Sequence, residues 1–141
     1  AAKRQPPNGY AAKFSLPYLV AVILVKGRAG LAEFTDEAAR DETVRRVAAT
    51  VNYEVDPGID YPAQFIGHVR IRLNDGRVVE ERQAHPRGSP HVPLTREELE
   101  AKFCGNAGLL LPEGKIEQII RDVGGMAAGG QLTSLMKSLL G

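Results

Sequence analysis

A short apolar run near the start of the chain most constrains its fold. Residues 19–25 read Leu-Val-Ala-Val-Ile-Leu-Val, so a helix through them would present apolar side chains on every side. Such a helix has to be covered all round. The apolar stretch at 16–25 is too short to span a bilayer, which takes roughly 20 apolar residues. We therefore expect a central helix, covered by the rest of this chain or by another polypeptide.

Polar side chains gather where this helix is predicted to begin. Pro17 suits the first turn, where its missing N–H costs nothing. Lys13, Ser15 and Tyr18 lie at the same end of the helix. A helix N-terminus carries unpaired N–H groups and a partial positive charge, so this end favours an anion.

Composition excludes several function classes. The chain has 141 residues, enough for one domain with a real core, and its net charge of +1 gives no sign of a nucleic-acid or membrane surface. A single cysteine, Cys104, allows no internal disulfide, which fits the reducing cytoplasm. The three histidines, His68, His85 and His91, lack zinc spacing, so we predict no metal site.

The order of elements along the chain predicts the α+β class. We expect one domain over residues 1–141, a two-layer sandwich in which helices pack on one face of an antiparallel sheet meander. Its strands are predicted near 51–55, 65–73 and 77–83. Residues 1–12 are typical of a connecting segment and lack an initiator Met, which indicates a piece of a longer protein. A flexible glycine-rich break at 124–131 precedes a C-terminal helix.

Two local signals give sharper predictions. The hairpin contains Asn-Asp-Gly at 74–76, and a three-residue loop with Gly76 in the left-handed conformation would pair Ile71 with Val79. A two-residue turn would instead place Ile71 opposite Glu80. Farther along, Thr95 and Glu98 have the spacing of a capping box, in which each side chain accepts from the other residue's backbone N–H.

Four stretches in the right order resemble one protein family. They are Lys-Arg-Gln-Pro-Pro-Asn-Gly-Tyr-Ala-Ala-Lys-Phe-Ser-Leu-Pro-Tyr at 3–18, Asp-Glu-Ala-Ala-Arg-Asp at 36–41, the hairpin at 69–79, and Pro-Leu-Thr-Arg-Glu-Glu-Leu-Glu-Ala-Lys-Phe at 93–103. Together they resemble the C-terminal domain of the MmgE/PrpD family, which includes 2-methylcitrate dehydratase, cis-aconitate decarboxylase and iminodisuccinate epimerase. The likeness fades beyond residue 123.

The resemblance implies a function that the residues alone do not. Similar enzymes join a helical N-terminal domain to a smaller α+β lid, and they dehydrate, decarboxylate or epimerise small di- and tricarboxylates without metal or organic cofactor. The chemistry is proton abstraction next to a carboxylate. The resemblance implies that Tyr18 is catalytic, and the geometry of the helix end adds Lys13 and Ser15 as substrate-binding residues. The alternative for Tyr18 is a buried aromatic whose hydroxyl bonds to the backbone.

The implied partners follow from the same resemblance. We expect a small carboxylate substrate, an N-terminal helical domain that this chain lacks, and a homo-oligomer such as a dimer, in the cytoplasm. The chain alone should then be inactive, because most acid–base residues would lie in the helical domain. The alternative is a non-catalytic carboxylate-binding or protein-interaction domain that retains the fold.

Overall fold

The computed structural model describes residues 4–126 and 128–140. The chain divides into two compact units, one formed by residues 1–53 with 100–141 and the other by residues 54–99. The α-helices are α1 (Gly9–Ala12), α2 (Leu16–Lys26), α3 (Glu42–Thr50), α4 (Arg96–Ala107), α5 (Glu113–Met126) and α6 (Leu132–Leu140). Two 3₁₀ helices at Leu31–Phe34 and Ala38–Arg40 and two strands, β1 (Gly67–Arg72) and β2 (Val78–Gln83), complete the described elements. The predicted α+β class is confirmed.

Helix α2 is buried on one side only. It begins as predicted, with Pro17 in the first turn, and Gly27 closes its C-terminus at a left-handed φ of 74°. Tyr18, Ala21 and Val22 lie on its buried face. Ile23 is 50% exposed and Leu24 is 51% exposed, so this chain covers only part of the apolar helix, and any cover on the remaining face would have to come from another polypeptide.

The core of the first unit lies between α2 and α3. The buried face of α2 packs with Val44 and Ala48 of α3 and with Ala39 of the second 3₁₀ helix. Asp41 Oδ1 accepts from the N–H groups of Thr43 at 2.9 Å and Val44 at 3.1 Å, which fixes the start of α3.

The hairpin has the predicted register. Ile71 pairs with Val79 in an antiparallel ladder, and Gly76 has a left-handed φ of 89°. The predicted strand at 51–55 is wrong: the described part of the sheet has two strands, and this segment has no ladder. Its three alternating apolar residues end in Val55, which is largely exposed. Alternation alone does not make a strand, because a strand needs a neighbour to pair its backbone groups.

Helices α5 and α6 contact each other at the end of the chain. Ile116 and Ile119 are buried on α5, as their spacing predicts. The helix continues through Gly124 and Gly125 to Met126, so the interruption begins later than the predicted break at 124–131, of which Ala127 lies outside the described residues. Within the described ranges the longest helix has 14 residues, and none combines the length and apolar content that a membrane span requires.

The capping box at the start of α4 is confirmed. Thr95 N donates to Glu98 Oε2 at 2.9 Å, and Glu98 N donates to Thr95 Oγ1 at 3.3 Å. Thr95→Ala removes one acceptor of this reciprocal pair, so the free energy of unfolding should fall by about 1 kcal/mol. Thermal melts of the two proteins measure this difference, and an unchanged midpoint would mean that water caps the helix equally well.

Gly9 marks a close approach between α1 and the first 3₁₀ helix. A Cβ placed on Gly9 would lie 2.0 Å from the carbonyl oxygen of Phe34, and the Gly9 N–H donates to Asp36 Oδ1 at 2.8 Å. Gly9→Ala should therefore cost about 1–3 kcal/mol of stability, because backbone on both sides must move. Gly105→Ala is the control, since a Cβ there meets nothing within 4 Å. Equal melting temperatures for the two variants would contradict this packing.

Candidate functional site

The start of α2 is fixed by Ser15. Its backbone is extended, with φ −106° and ψ 100°, and its Oγ accepts from the backbone N–H of Tyr18 at 3.1 Å. Ser15 is buried. A side-chain oxygen in this position satisfies one of the N–H groups that a helix start leaves unpaired. The structure therefore gives Ser15 a capping role at the position where the sequence predicted a substrate-binding residue.

Tyr18 lies directly under the following 3₁₀ helix. Its relative exposure is 0%, and its hydroxyl donates to the backbone carbonyl of Glu33 at 2.8 Å. Burial raises the pKa of the Tyr18 phenol above its ordinary value, and the charges of Asp41 and Glu33 act in the same direction. Tyr18 is thus a neutral phenol at physiological pH whose proton is held by a backbone acceptor.

Lys13 occupies a different environment. It closes α1, where its backbone N–H donates to the carbonyl of Tyr10, and its side chain is exposed. The structure therefore brings Ser15 and Tyr18 into direct contact and leaves Lys13 in solvent two residues before Ser15. A lysine side chain exposed near a helix start is accessible to an approaching carboxylate.

Two ion pairs beside Tyr18 were not predicted from the sequence. Arg28 Nε donates to Glu33 Oε1 at 2.8 Å, and Lys26 Nζ lies 2.7 Å from Asp41 Oδ2. Glu33 is buried, and the Gly30 N–H and the Arg28 guanidinium lower the pKa of its carboxyl. The spacing of Arg28 and Glu33 in the sequence was the available signal, but an opposite charge five residues away is too common to select this pair.

Three of these charged residues, Lys26, Glu33 and Asp41, line an open depression of about 480 Å³ in the first unit. Its lining includes residues of α2, of both 3₁₀ helices and of the start of α3, among them Tyr18, Lys26, Glu33, Arg40 and Asp41. The carboxylates of Glu33 and Asp41 already have cationic partners, and Glu33 also has a backbone donor. The depression therefore carries both signs of charge rather than the purely cationic surface that would select an anion by charge alone.

The polar cluster of the second unit lies on the hairpin. Glu80 accepts from Arg70 Nε at 3.0 Å and lies 2.7 Å from His68 Nε2. Arg70, and then His68, lower the pKa of the Glu80 carboxyl to about 2.

His85 and His91 lie next to each other, with their ring centroids 4.1 Å apart. Within residues 4–126 and 128–140, no group of three or more His, Cys, Asp or Glu side chains could hold a metal ion.

Comparison with known proteins identifies the family. The sequence profile of the MmgE/PrpD C-terminal domain matches residues 1–124. This chain belongs to the MmgE/PrpD family. The match covers α1 to most of α5 and stops short of α6, in agreement with the fading of the resemblance beyond residue 123.

Curated relatives of this MmgE/PrpD domain are much longer than the chain. It is 31% identical over 123 residues to the cis-aconitate decarboxylase of Aspergillus terreus strain NIH 2624 / FGSC A1156 and 28% identical over 118 residues to that of Mus musculus. These matches cover 83% and 82% of the chain, respectively, but only 24% of each relative. The chain is thus similar to about a quarter of each decarboxylase.

Proposed function

We propose that this chain is the lid domain of a cofactor-independent lyase or isomerase that acts on small di- or tricarboxylates. The match of the MmgE/PrpD C-terminal domain to residues 1–124 carries the proposal. The similarity to two cis-aconitate decarboxylases supports a carboxylate substrate and makes cis-aconitate the first compound to test. In this proposal a helical domain supplies most acid–base residues, and the present domain completes the site.

The physical basis is stabilisation of negative charge. Removing a proton or a carboxyl group next to a carboxylate leaves an electron pair that the rest of the substrate must accept. Donors and cations fixed in advance at that position lower the barrier. On this chain the candidate groups are the Tyr18 phenol and, at the start of α2, Lys13 and Ser15. Ser15 contributes by capping the helix, because its Oγ accepts from the Tyr18 N–H.

A substrate can contact the Tyr18 hydroxyl only after that hydroxyl has been uncovered. The Tyr18 side chain is buried and its proton is bonded to the Glu33 carbonyl. A substrate therefore reaches the hydroxyl only when the 3₁₀ helix at Leu31–Phe34 shifts away from it. The raised pKa of the Tyr18 phenol keeps the hydroxyl protonated, so it can act as a donor once it is released.

The second candidate function is a non-catalytic carboxylate-binding or protein-interaction domain. One observation favours it: the hydroxyl of Tyr18 and the Oγ of Ser15 both make hydrogen bonds that stabilise the fold. A domain that had lost its catalytic role would keep such bonds, because a buried hydroxyl without a partner is costly.

The test is an activity assay with the helical domain present. The chain should be expressed joined to its upstream helical domain and offered cis-aconitate, 2-methylcitrate and an epimerisable amino dicarboxylate. Turnover of any of these without added metal or cofactor supports the lyase or isomerase. Carboxylate binding in calorimetry without turnover of the whole panel would instead favour the binding domain.

A further inference from the structure

Two neighbours of the Tyr18 side chain come from one 3₁₀ helix. Within Leu31–Phe34, the carbonyl of Glu33 accepts from the Tyr18 hydroxyl, and the ring of Phe34 lies 6.0 Å from the Tyr18 ring, centroid to centroid. The same four residues thus provide both the polar and an aromatic neighbour of the side chain. Whatever holds this helix in place therefore also decides whether the Tyr18 hydroxyl is covered.

The Glu33 side chain anchors this 3₁₀ helix to residues 27–30, the link that follows α2. Oε1 accepts from Arg28 Nε and Oε2 accepts from the backbone N–H of Gly30, both at 2.8 Å. Glu33 is buried, so its charge depends on these two partners. Removing one partner of such a pair costs more than the pair itself contributes, because the other charge remains desolvated.

The other half of the pair is open to solvent. The Arg28 side chain is 74% exposed, and residues 27–30, which link α2 to the 3₁₀ helix, are all exposed. Gly27 adds a left-handed residue at the start of this link. Because both the guanidinium and the link are exposed, the ion pair between Arg28 and Glu33 can open without disturbing the packing between α2 and α3.

We propose that Arg28 and Glu33 are positioning residues for Tyr18. Their ion pair keeps the backbone carbonyl of Glu33 against the Tyr18 hydroxyl and so sets the exposure of the Tyr18 side chain. The importance of this for a reaction rests on the proposed function, in which Tyr18 meets a carboxylate substrate. The ion pair itself is a property of this chain and is testable without any substrate.

Tyrosine fluorescence provides the test. The chain has four tyrosines and no tryptophan, and Tyr10, Tyr53 and Tyr61 are exposed. Replacing these three by Phe leaves Tyr18 as the only emitter. We expect weak quenching of this parent by acrylamide, a neutral molecule, and a rise in the quenching constant of about twofold or more in Arg28→Ala, because local opening exposes the ring.

Two further variants separate positioning from general stability. Arg28→Lys keeps a cation within reach of Glu33 and should return the quenching constant to the parent value. Arg46→Ala removes an exposed arginine from α3 and should leave the quenching constant unchanged. If Arg28→Ala proves unfolded by circular dichroism, Glu33→Gln replaces it, since it removes the charge and keeps an oxygen for the Gly30 N–H. Parent-level quenching in the folded variant that is tested overturns the proposal.

In the complete enzyme the same proposal has a kinetic signature. Arg28→Ala should change kcat when Tyr18 is present and have no further effect in a Tyr18→Phe background, because it acts through that hydroxyl. Equal changes in both backgrounds would overturn the positioning role. If Tyr18→Phe itself leaves kcat unchanged, the proposed function of Tyr18 fails, while the quenching experiment still decides the role of the ion pair.

Discussion

Tyr18→Phe should lower kcat by about 10- to 1000-fold in the enzyme that we propose this domain forms with a helical partner, by analogy with the loss of one transition-state donor. The substitution keeps the ring and deletes one polar atom. It also removes the hydrogen bond to the Glu33 carbonyl, so the free energy of unfolding should fall by about 1 kcal/mol. Steady-state kinetics and thermal melts on the same preparations measure the two effects.

Tyr53→Phe is the matched control for this experiment. Tyr53 lies outside the helices and its side chain is 53% exposed, so the same atom is removed without a buried partner. We expect wild-type kcat and stability from it. Wild-type kcat in Tyr18→Phe, together with the loss of stability, would assign Tyr18 a purely structural role.

The second large effect concerns the exposed face of α2. Leu16, Ile23 and Leu24 are each about half-exposed and lie opposite the buried stripe of Tyr18, Ala21 and Val22 on the same helix. Contiguous apolar surface of this kind usually marks an interface. We propose that this face meets the helical domain, and that the chain alone self-associates through it. In sedimentation velocity at high concentration, the average mass should therefore exceed the 15.2 kDa of one chain.

A double substitution tests which surface is responsible. Ile23→Gln with Leu24→Gln should return the sedimenting species to the mass of one chain, because it makes the face polar and leaves the buried stripe intact. Leu110→Gln is the control, since Leu110 is largely exposed but lies just after α4. A monomeric unsubstituted chain at all concentrations, or equal dissociation by Leu110→Gln, would contradict an interface on α2.

Local sequence signals predicted the elements whose cause is local. The capping box at Thr95 and the hairpin register through Gly76 each depend on residues within a few positions of one another. The prediction of a strand at 51–55 was wrong. Alternation of apolar residues shows only that one face of a strand could be buried, whereas pairing requires a second strand from elsewhere in the chain, which the local pattern does not specify.

The candidate site shows the same limit. The sequence placed Ser15 and Tyr18 at the start of α2, which the structure confirms, and it left both roles open for the Tyr18 hydroxyl. The partner of that hydroxyl is a backbone carbonyl, and every residue has one, so the sequence gives no sign of which residue will accept the bond. The ion pair between Arg28 and Glu33 depends on the exact path of residues 27–30, and charge spacing does not determine such a path.

Turnover by the chain with and without its helical domain tests the lid assignment most directly. The two domains should be produced separately, and cis-aconitate consumption measured for each alone and for the mixture, with the joined protein as reference. We predict no detectable turnover by this chain, and turnover by the mixture that is lost when Ile23 and Leu24 are both replaced by Gln. Turnover by the 141-residue chain alone would contradict its role as the lid of a two-domain enzyme.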